Sequence, residues 1–354
     1  MKTTLLISTL LVVVLTHQTS LVCNAQPPEV RYGTAVPADV EMMYQKALTW
    51  LSTNQGKDGD WPSNINPQQG AAICGMCMMA FLASGEDPNF GKYAENLRLA
   101  TRCMIVKQDS KTGYLAGHSM YHHGFGMLAL AEVYGVLDEE LLWIGASQTE
   151  LQSKRTIGAA LELAVQCATT SQKDNPYKAW RYSPQATDAD TSVSGAVLMG
   201  LLASRNAGIK IPDKNIDDAI EYFKSMTTKQ GDVGYSGIGA GGSANLPCIA
   251  LLVYSISKRK ELDQYDAVKG RVISQMDSGA NNSYPEYYRY YAAQALFQAD
   301  FDSWQKWNTQ LIRELKTMQQ PDGSFPGSMG QTYGTAMSLL SLGLNYRFLP
   351  IYER

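Results

Sequence analysis

A motif of glutamine, glycine, an aromatic residue and proline recurs along this chain, and it restricts the fold more than any other feature. Gln55-Gly56-Lys57-Asp58-Gly59-Asp60-Trp61-Pro62 stands near the start. Gln319-Gln320-Pro321-Asp322-Gly323-Ser324-Phe325-Pro326 stands near the end, with Gln, Asp, Gly, aromatic and Pro in the same register. Weaker copies run from Gln108 to Gly113-Tyr114, from Gln172 to Trp180 and from Gln230 to Gly234-Tyr235. The most degenerate copy runs from Gln275 to Tyr284-Pro285. Self-similarity of this kind marks a stack of like supersecondary units.

Each copy separates two segments of different character. Upstream, Val40–Thr53, Ala94–Val106, Lys154–Thr169, Ile216–Thr227, Ala267–Met276 and Trp304–Met318 carry apolar residues at three- and four-residue steps with charge between them. That spacing predicts half-buried helices. Downstream, Ala71–Ala83, Tyr121–Tyr134, Thr191–Ser204, Leu246–Ile256, Tyr287–Gln298 and Tyr333–Leu344 are apolar nearly all round and rich in small residues. These are expected to be helices buried on most sides. A unit of outer helix, turn and inner helix cannot bury its apolar face alone, so neighbours must stack. An open stack needs polar caps at both ends. Here the end units match the repeat best and the last inner segment is apolar, which predicts a closed ring.

The repeat resembles that of the squalene cyclase and protein prenyltransferase superfamily, from about Val40 to Tyr352. Met120-Tyr121-His122-His123-Gly124, Trp180-Arg181-Tyr182, Asp190-Thr191-Ser192-Val193-Ser194-Gly195, Tyr287-Tyr288-Arg289-Tyr290-Tyr291-Ala292 and Tyr346-Arg347-Phe348-Leu349-Pro350-Ile351-Tyr352 are similar to an exported bacterial group within it, the prenyltransferase or squalene oxidase repeat proteins. The resemblance implies an all-α fold, an α/α toroid of six helix pairs. It is specific for fold and weak for chemistry, since one fold hosts many functions.

Two catalytic sets known in such toroids are incomplete. Class II terpene cyclases protonate an alkene through the middle Asp of an Asp-x-Asp-Asp motif, which demands a buried, protonated carboxyl. The nearest match is Asp188-Ala189-Asp190-Thr191-Ser192, which lacks one carboxylate in either alignment. Asp190 and Asp188 are the candidate catalytic residues; locally, Asp190 or Thr191 is also placed to cap the next helix. Protein prenyltransferases hold zinc through Asp, Cys and His. No histidine follows His123 and no cysteine follows Cys248, so that arrangement has no counterpart.

Other groups have both a structural and a functional reading. His118 and His122 stand one helical turn apart with Tyr121 between them, a spacing that suits a ligand or a general base paired with tyrosine. Polysaccharide lyases with α/α toroids use Tyr, His and Asn together. The tyrosines from Tyr284 to Tyr291 could line a cavity, by cation–π attraction or by gripping sugars, or could fill gaps between helices. Candidate ligand contacts are His118, Tyr121, His122, Tyr287, Tyr288 and Tyr333. The glycine-rich run 237–242 follows no strand and lacks the Lys-Ser/Thr ending of a nucleotide loop. Asn281-Asn282-Ser283 would accept a glycan only in a eukaryotic secretory route.

The first residues read as an address label. Lys2 supplies a positive start, Leu5 to Leu15 an apolar stretch too short to span a bilayer, and Cys23-Asn24-Ala25 a small-residue cleavage pattern. Cleavage is expected after Ala25; lipidation at Cys23 is disfavoured by the bulk of Val22. An extended segment 26–39 and one toroid domain 40–354 would follow. No later segment offers an apolar run long enough to cross a membrane. Cys74, Cys77, Cys103, Cys167 and Cys248 remain, an odd number. Cys74 and Cys77 have metal-like spacing but lie in an apolar helix with no second pair, so a structural role is the first reading. A formal charge of −3 over 354 residues argues against nucleic acid as a partner. No cofactor and no metal are expected. The leading expectation is an exported toroid that binds an apolar, polyprenyl-like ligand or a partner protein at one mouth, without established catalysis. The alternatives are an isoprenoid cyclase or transferase, and a carbohydrate-active toroid.

Overall fold

The computed structural model describes residues 36–61, 70–115, 119–238, 242–276 and 284–352. Among them, twelve long helices form six outer–inner pairs and no strand ladder occurs. The outer helices are α1 (Ala38–Thr53), α3 (Ala94–Lys107), α7 (Ile157–Asp174), α9 (Asp213–Met226), α11 (Asp263–Met276) and α13 (Phe301–Met318). The inner helices are α2 (Gly70–Leu82), α4 (Met120–Val133), α8 (Thr191–Asn206), α10 (Asn245–Ile256), α12 (Pro285–Ala299) and α14 (Gln331–Gly343). Two short helices, α5 (Glu139–Leu142) and α6 (Gln148–Gln152), lie between α4 and α7.

Burial follows the sequence pattern. On α13 the buried positions Trp304, Trp307, Leu311 and Leu315 form one stripe. On α2 every residue from Ala71 to Leu82 is buried. Small residues bring the inner helices into backbone contact. A Cβ on Gly75 would stand 2.8 Å from the Phe125 carbonyl oxygen of α4, and one on Gly124 would stand 2.5 Å from the Ala196 carbonyl carbon of α8.

The inner helices touch in a closed cycle, α2–α4–α8–α10–α12–α14 and back to α2. The repeat glutamine makes the same closure in the outer layer. Its amide nitrogen donates twice, once to its own turn and once to the backbone of the next outer helix. Gln55 bonds Gly59 O and Asn96 O, both at 2.9 Å. Gln108 bonds Gly113 O at 2.9 Å and Ala160 O at 2.8 Å. Gln172 bonds Lys178 O at 2.9 Å and Asn215 O at 2.8 Å. Gln319 bonds Gly323 O and, on α1, Met43 O, both at 2.9 Å. The last unit thus holds the first as each of the first three units holds its successor. Lys316 adds an ion pair to Asp39 at 2.7 Å.

The turn glycine is needed because the backbone there is left-handed and pressed against the next helix. Gly113 has φ +75°, and a Cβ would lie 2.0 Å from Leu163 O. In the third unit Lys178 takes this position at φ 54°. A side chain in that region costs about 1–2 kcal/mol. Lys178→Gly is therefore expected to raise stability by about 1 kcal/mol in urea denaturation. The fourth copy needs a correction of register. Thr227 stands where the glutamine does in the first three units and the last, Gly231 (φ +83°) is the turn glycine, and Gln230 is exposed. The sequence pattern is offset by three residues here because the key side chain has changed. Most of the fifth turn, 277–283, lies outside the described residues, as do Asn281, the cleavage region around Ala25, and Gly239 to Gly241 of the glycine-rich run.

The segment after α14 packs back onto the helices. Leu349 and Ile351 are buried, and the terminal 3₁₀ turn Pro350–Tyr352 packs against α8. The Phe348 ring lies against Gly85, just past α2. Arg347 sits over Phe297 and Phe301, 5.2 and 5.4 Å from their centroids.

Candidate functional site

Every inner helix enters after its turn, so all six run in the same sense and their N-terminal ends gather round one mouth. A pocket of about 640 Å³ opens there. Ser119, Tyr121 and His122 come from the start of α4, Ser192 and Val193 from α8, and Asn245 and Leu246 from α10. Tyr284 stands at the N-cap of α12 and Tyr287 lies in its first turn, while Met329 precedes α14 and Tyr333 lies in its first turn. Tyr182, Tyr235, Gly242 and Ser243 complete the wall from the turns. None of the lining residues carries a carboxylate.

Tyr182 and Tyr235 are fixed by the helices they cap. The Tyr182 carbonyl accepts from Met120 N–H at 2.9 Å, and the Tyr235 carbonyl from Thr191 N–H at 2.9 Å. Each turn thus satisfies an orphan donor at the head of an inner helix. Their hydroxyls share a hydrogen bond of 2.5 Å. The Arg181 guanidinium lies 5.0 and 5.2 Å from the two ring centroids, holding the pair from behind.

Asp190 stands behind this wall. It is fully buried and caps α8, accepting the Val193 N–H at 2.8 Å. Burial pushes its carboxyl pKa up, opposed by that N–H and by Arg181. Its second oxygen lies 3.7 Å from Arg181 Nε and has no hydrogen-bond partner. Arg181 Nη1 and the Tyr222 hydroxyl are buried without partners too. Asp188 is mostly exposed, 3.6 Å from Arg181 Nε. Neither aspartate lines the pocket.

Of the expected ligand contacts, the structure brings Tyr121, His122, Tyr287 and Tyr333 into one pocket. His118 lies outside the described residues. Tyr288 is not among the lining residues; it is half-buried against the core. Below the lining, aromatic rings continue into the centre of the ring. Tyr121 packs on Tyr287 at 5.9 Å and Phe125 on Tyr290 at 5.8 Å, while Tyr291 lies 4.7 Å from Tyr287. Burial raises the pKa of the Tyr121, Tyr287 and Tyr291 hydroxyls well above the usual value, so they remain neutral. Sequence reasoning missed Tyr182, Tyr235 and Asn245 as lining residues. The available signal was that two of them close repeat turns.

His123 has a structural task. Its Nδ1 accepts the Leu115 N–H at 3.1 Å, so Nε2 carries the proton and donates to Ala164 O at 3.0 Å. Ser194 and Thr335 do the first of these jobs in other units, accepting from Trp180 and Phe325 N–H. Burial lowers the His123 pKa from 6.5 to about 4. The unfolded chain therefore takes up the proton first as pH falls. The stability held by the neutral ring is full above about pH 6.5 and is lost as pH drops toward 4, at most about 3 kcal/mol. Urea melts at pH 7.5 and 4.5 should show this slope, and His123→Ser should flatten it.

Among the described residues no cluster of three or more His, Cys, Asp or Glu side chains could hold a metal, and no helix is long and apolar enough to cross a membrane. A second groove, of about 870 Å³, lies on the outer wall beside α3 and the short helices, lined by Arg98, Arg102, Phe90 and Ile144.

No family model matches the chain, and no curated protein matches it. Solved structures do. An α-1,6-mannanase of glycoside hydrolase family 76 from Salegentibacter sp. HEL1_6 superposes with a TM-score of 0.61 at 7% identity, covering 87% of this chain and 99% of the mannanase. A family 76 mannosidase from Bacteroides thetaiotaomicron gives 0.60 at 9%, over 87% and 98%. The type II terpene cyclase MstE from Scytonema gives 0.51 at 14%, over 88% and 98%. At such identities the likeness is one of fold: this chain is an α/α toroid, the architecture that the repeat implied.

Proposed function

We propose that the protein binds a saccharide in the tyrosine-lined mouth of its toroid and leaves the sugar intact. The observation that carries this reading is the lining. Six tyrosines, His122, Asn245 and three serines face an open pocket without a carboxylate. Tyrosine rings stack on the apolar faces of sugar rings, while hydroxyls, an amide and an imidazole serve the sugar hydroxyls. The solved mannanase with this fold holds α-1,6-mannotriose.

Glycoside hydrolysis requires two carboxyl groups flanking the scissile bond. Two buried acids near lining residues in the chain are engaged elsewhere. Asp190 caps α8, and Glu286 accepts from Ser328 N at 3.1 Å and Ser328 Oγ at 2.9 Å. Alkene protonation needs a dry cavity deep enough for a polyprenyl chain. The space beneath the mouth is occupied by Phe125, Tyr290 and Tyr291, all buried. This weighs against the apolar ligand that the family resemblance implied, and a sugar also suits an exported chain.

The test is calorimetric titration of the mature protein with neutral manno-oligosaccharides, acidic oligogalacturonates and geranylgeranyl diphosphate. Recovered ligands are then weighed by mass spectrometry. An oligosaccharide is expected to bind and return unchanged. Binding of the polyprenyl compound alone would overturn the reading, and new reducing ends would show a hydrolase.

A further inference from the structure

Two thiols on neighbouring helices meet at the wall of the second unit. Cys74 lies in the second turn of α2 and Cys103 in the third turn of α3. Cys74 Sγ is 3.6 Å from Ala100 O, the carbonyl three residues before Cys103. Both cysteines line one narrow cleft together with Asp60 and Lys107. They are 2% and 5% exposed, and neither is in a disulfide. Cys77, one turn further along α2, is fully buried and does not line the cleft.

The cleft has an entrance with a charge. Lys107 Nζ is 2.8 Å from Asp60 Oδ2 and its side chain is 41% exposed. Lys107 lines the cleft together with Cys103. It therefore offers a counter-charge to a sulfur anion at Cys103. The neighbouring Cys103 thiol, and then burial, push the pKa of the Cys74 thiol well up, so it stays protonated. A sulfur that can be oxidised beside a second thiol that can resolve it is the arrangement of reversible thiol oxidation.

We propose that Cys74 and Cys103 are a redox pair that closes to a disulfide between α2 and α3. With hydrogen peroxide as oxidant, the Cys103 thiolate attacks one peroxide oxygen. The O–O bond breaks, leaving Cys103 as a sulfenic acid and releasing hydroxide, which takes up the proton lost by Cys103 and leaves as water. The Cys74 sulfur then attacks the sulfenic sulfur. The S–O bond breaks, the S–S bond forms, and the Cys74 proton leaves with the hydroxyl as a second water. Two thiols are oxidised and one peroxide is reduced. A dithiol reductant reverses the change. The pair links residues 29 positions apart in the chain, so closing it also removes freedom from the unfolded state.

The test treats the reduced protein with one equivalent of hydrogen peroxide, blocks remaining thiols and digests with trypsin without reduction. The expected product is peptide 58–92 joined to peptide 103–107, about 2 Da lighter than their sum. The titratable thiol count should fall by two, and Tm should rise. Cys77→Ser should keep the link, while Cys74→Ser and Cys103→Ser should each abolish it. Where serine at 74 prevents folding, Cys74→Ala replaces it, since alanine suits the apolar helix. A link that survives Cys74 replacement, a Cys103 sulfinic acid without any link, or an unchanged thiol count would each overturn the proposal.

Discussion

Gln319→Ala is expected to lower stability by about 2–4 kcal/mol, more than the loss of one ordinary hydrogen bond. The reason is what the amide leaves behind. Gly323 O and Met43 O both accept from Gln319 Nε2 at 2.9 Å. Each is a backbone acceptor that loses its partner, and an unsatisfied buried group costs about 1–3 kcal/mol. The site also joins the sixth unit to the first, where no covalent connection helps. The helices α13 and α1 meet only through tertiary contacts such as this one and the Lys316–Asp39 pair. Urea unfolding should show a lower midpoint. Gln172→Ala, which breaks the same clamp between the chain-linked third and fourth units, is expected to cost less. Equal costs at the two sites would mean that closure adds nothing to stability.

Tyr182→Ala and Tyr235→Ala are each expected to weaken saccharide binding about tenfold, and the double variant about a hundredfold, or roughly 1.4 and 2.8 kcal/mol. Both rings stand at the rim, with Tyr182 half exposed. Their removal leaves no cavity in the core, so stability should change by about 0.5 kcal/mol or less. Tyr182→Phe keeps the ring and loses only the hydroxyl shared with Tyr235, and should retain most of the affinity. Tyr287→Ala is a poor probe by comparison, because that ring is buried against Tyr291 and its loss disturbs packing. Calorimetry beside thermal melts separates the two effects. Unchanged affinity in the double variant would remove the mouth from consideration as the binding site.

The fold was legible because the repeat acts on two levels at once. Three- and four-residue spacing marked α13 from Trp304, within three residues of its true start, and Thr191–Ser204 foresaw α8 to within two. Closure was legible from the lack of polar caps on the end units. The short helices α5 and α6 were not, since four and five residues carry no period. The site was read in part. Tyr121, His122, Tyr287 and Tyr333 lie in the first turns of inner helices, so the helical reading alone placed them at one end of the ring. Tyr288 follows Tyr287 by one residue, about 100° round the helix, and misses the pocket. Tyr182 and Tyr235 belong to turns, and the direction a turn residue faces depends on the neighbouring inner helix it caps. That relation exists only once the ring is assembled.

The glutamine clamp from the sixth unit to the first also sets how this protein can evolve. In an open solenoid a repeat can be gained or lost at an end, and only the length changes. Here each unit turns the chain by about 60°, one-sixth of a circle, and the last must arrive where Met43 presents its carbonyl. A duplicated or deleted unit would carry Gln319 past that partner or leave it short. Every inner helix would then have to change its crossing with its neighbours, including the places where Gly75 and Gly124 admit a backbone. Copy number is therefore locked. Divergence is left to the turns and the first residues of the inner helices, the same positions that make up the wall of the mouth.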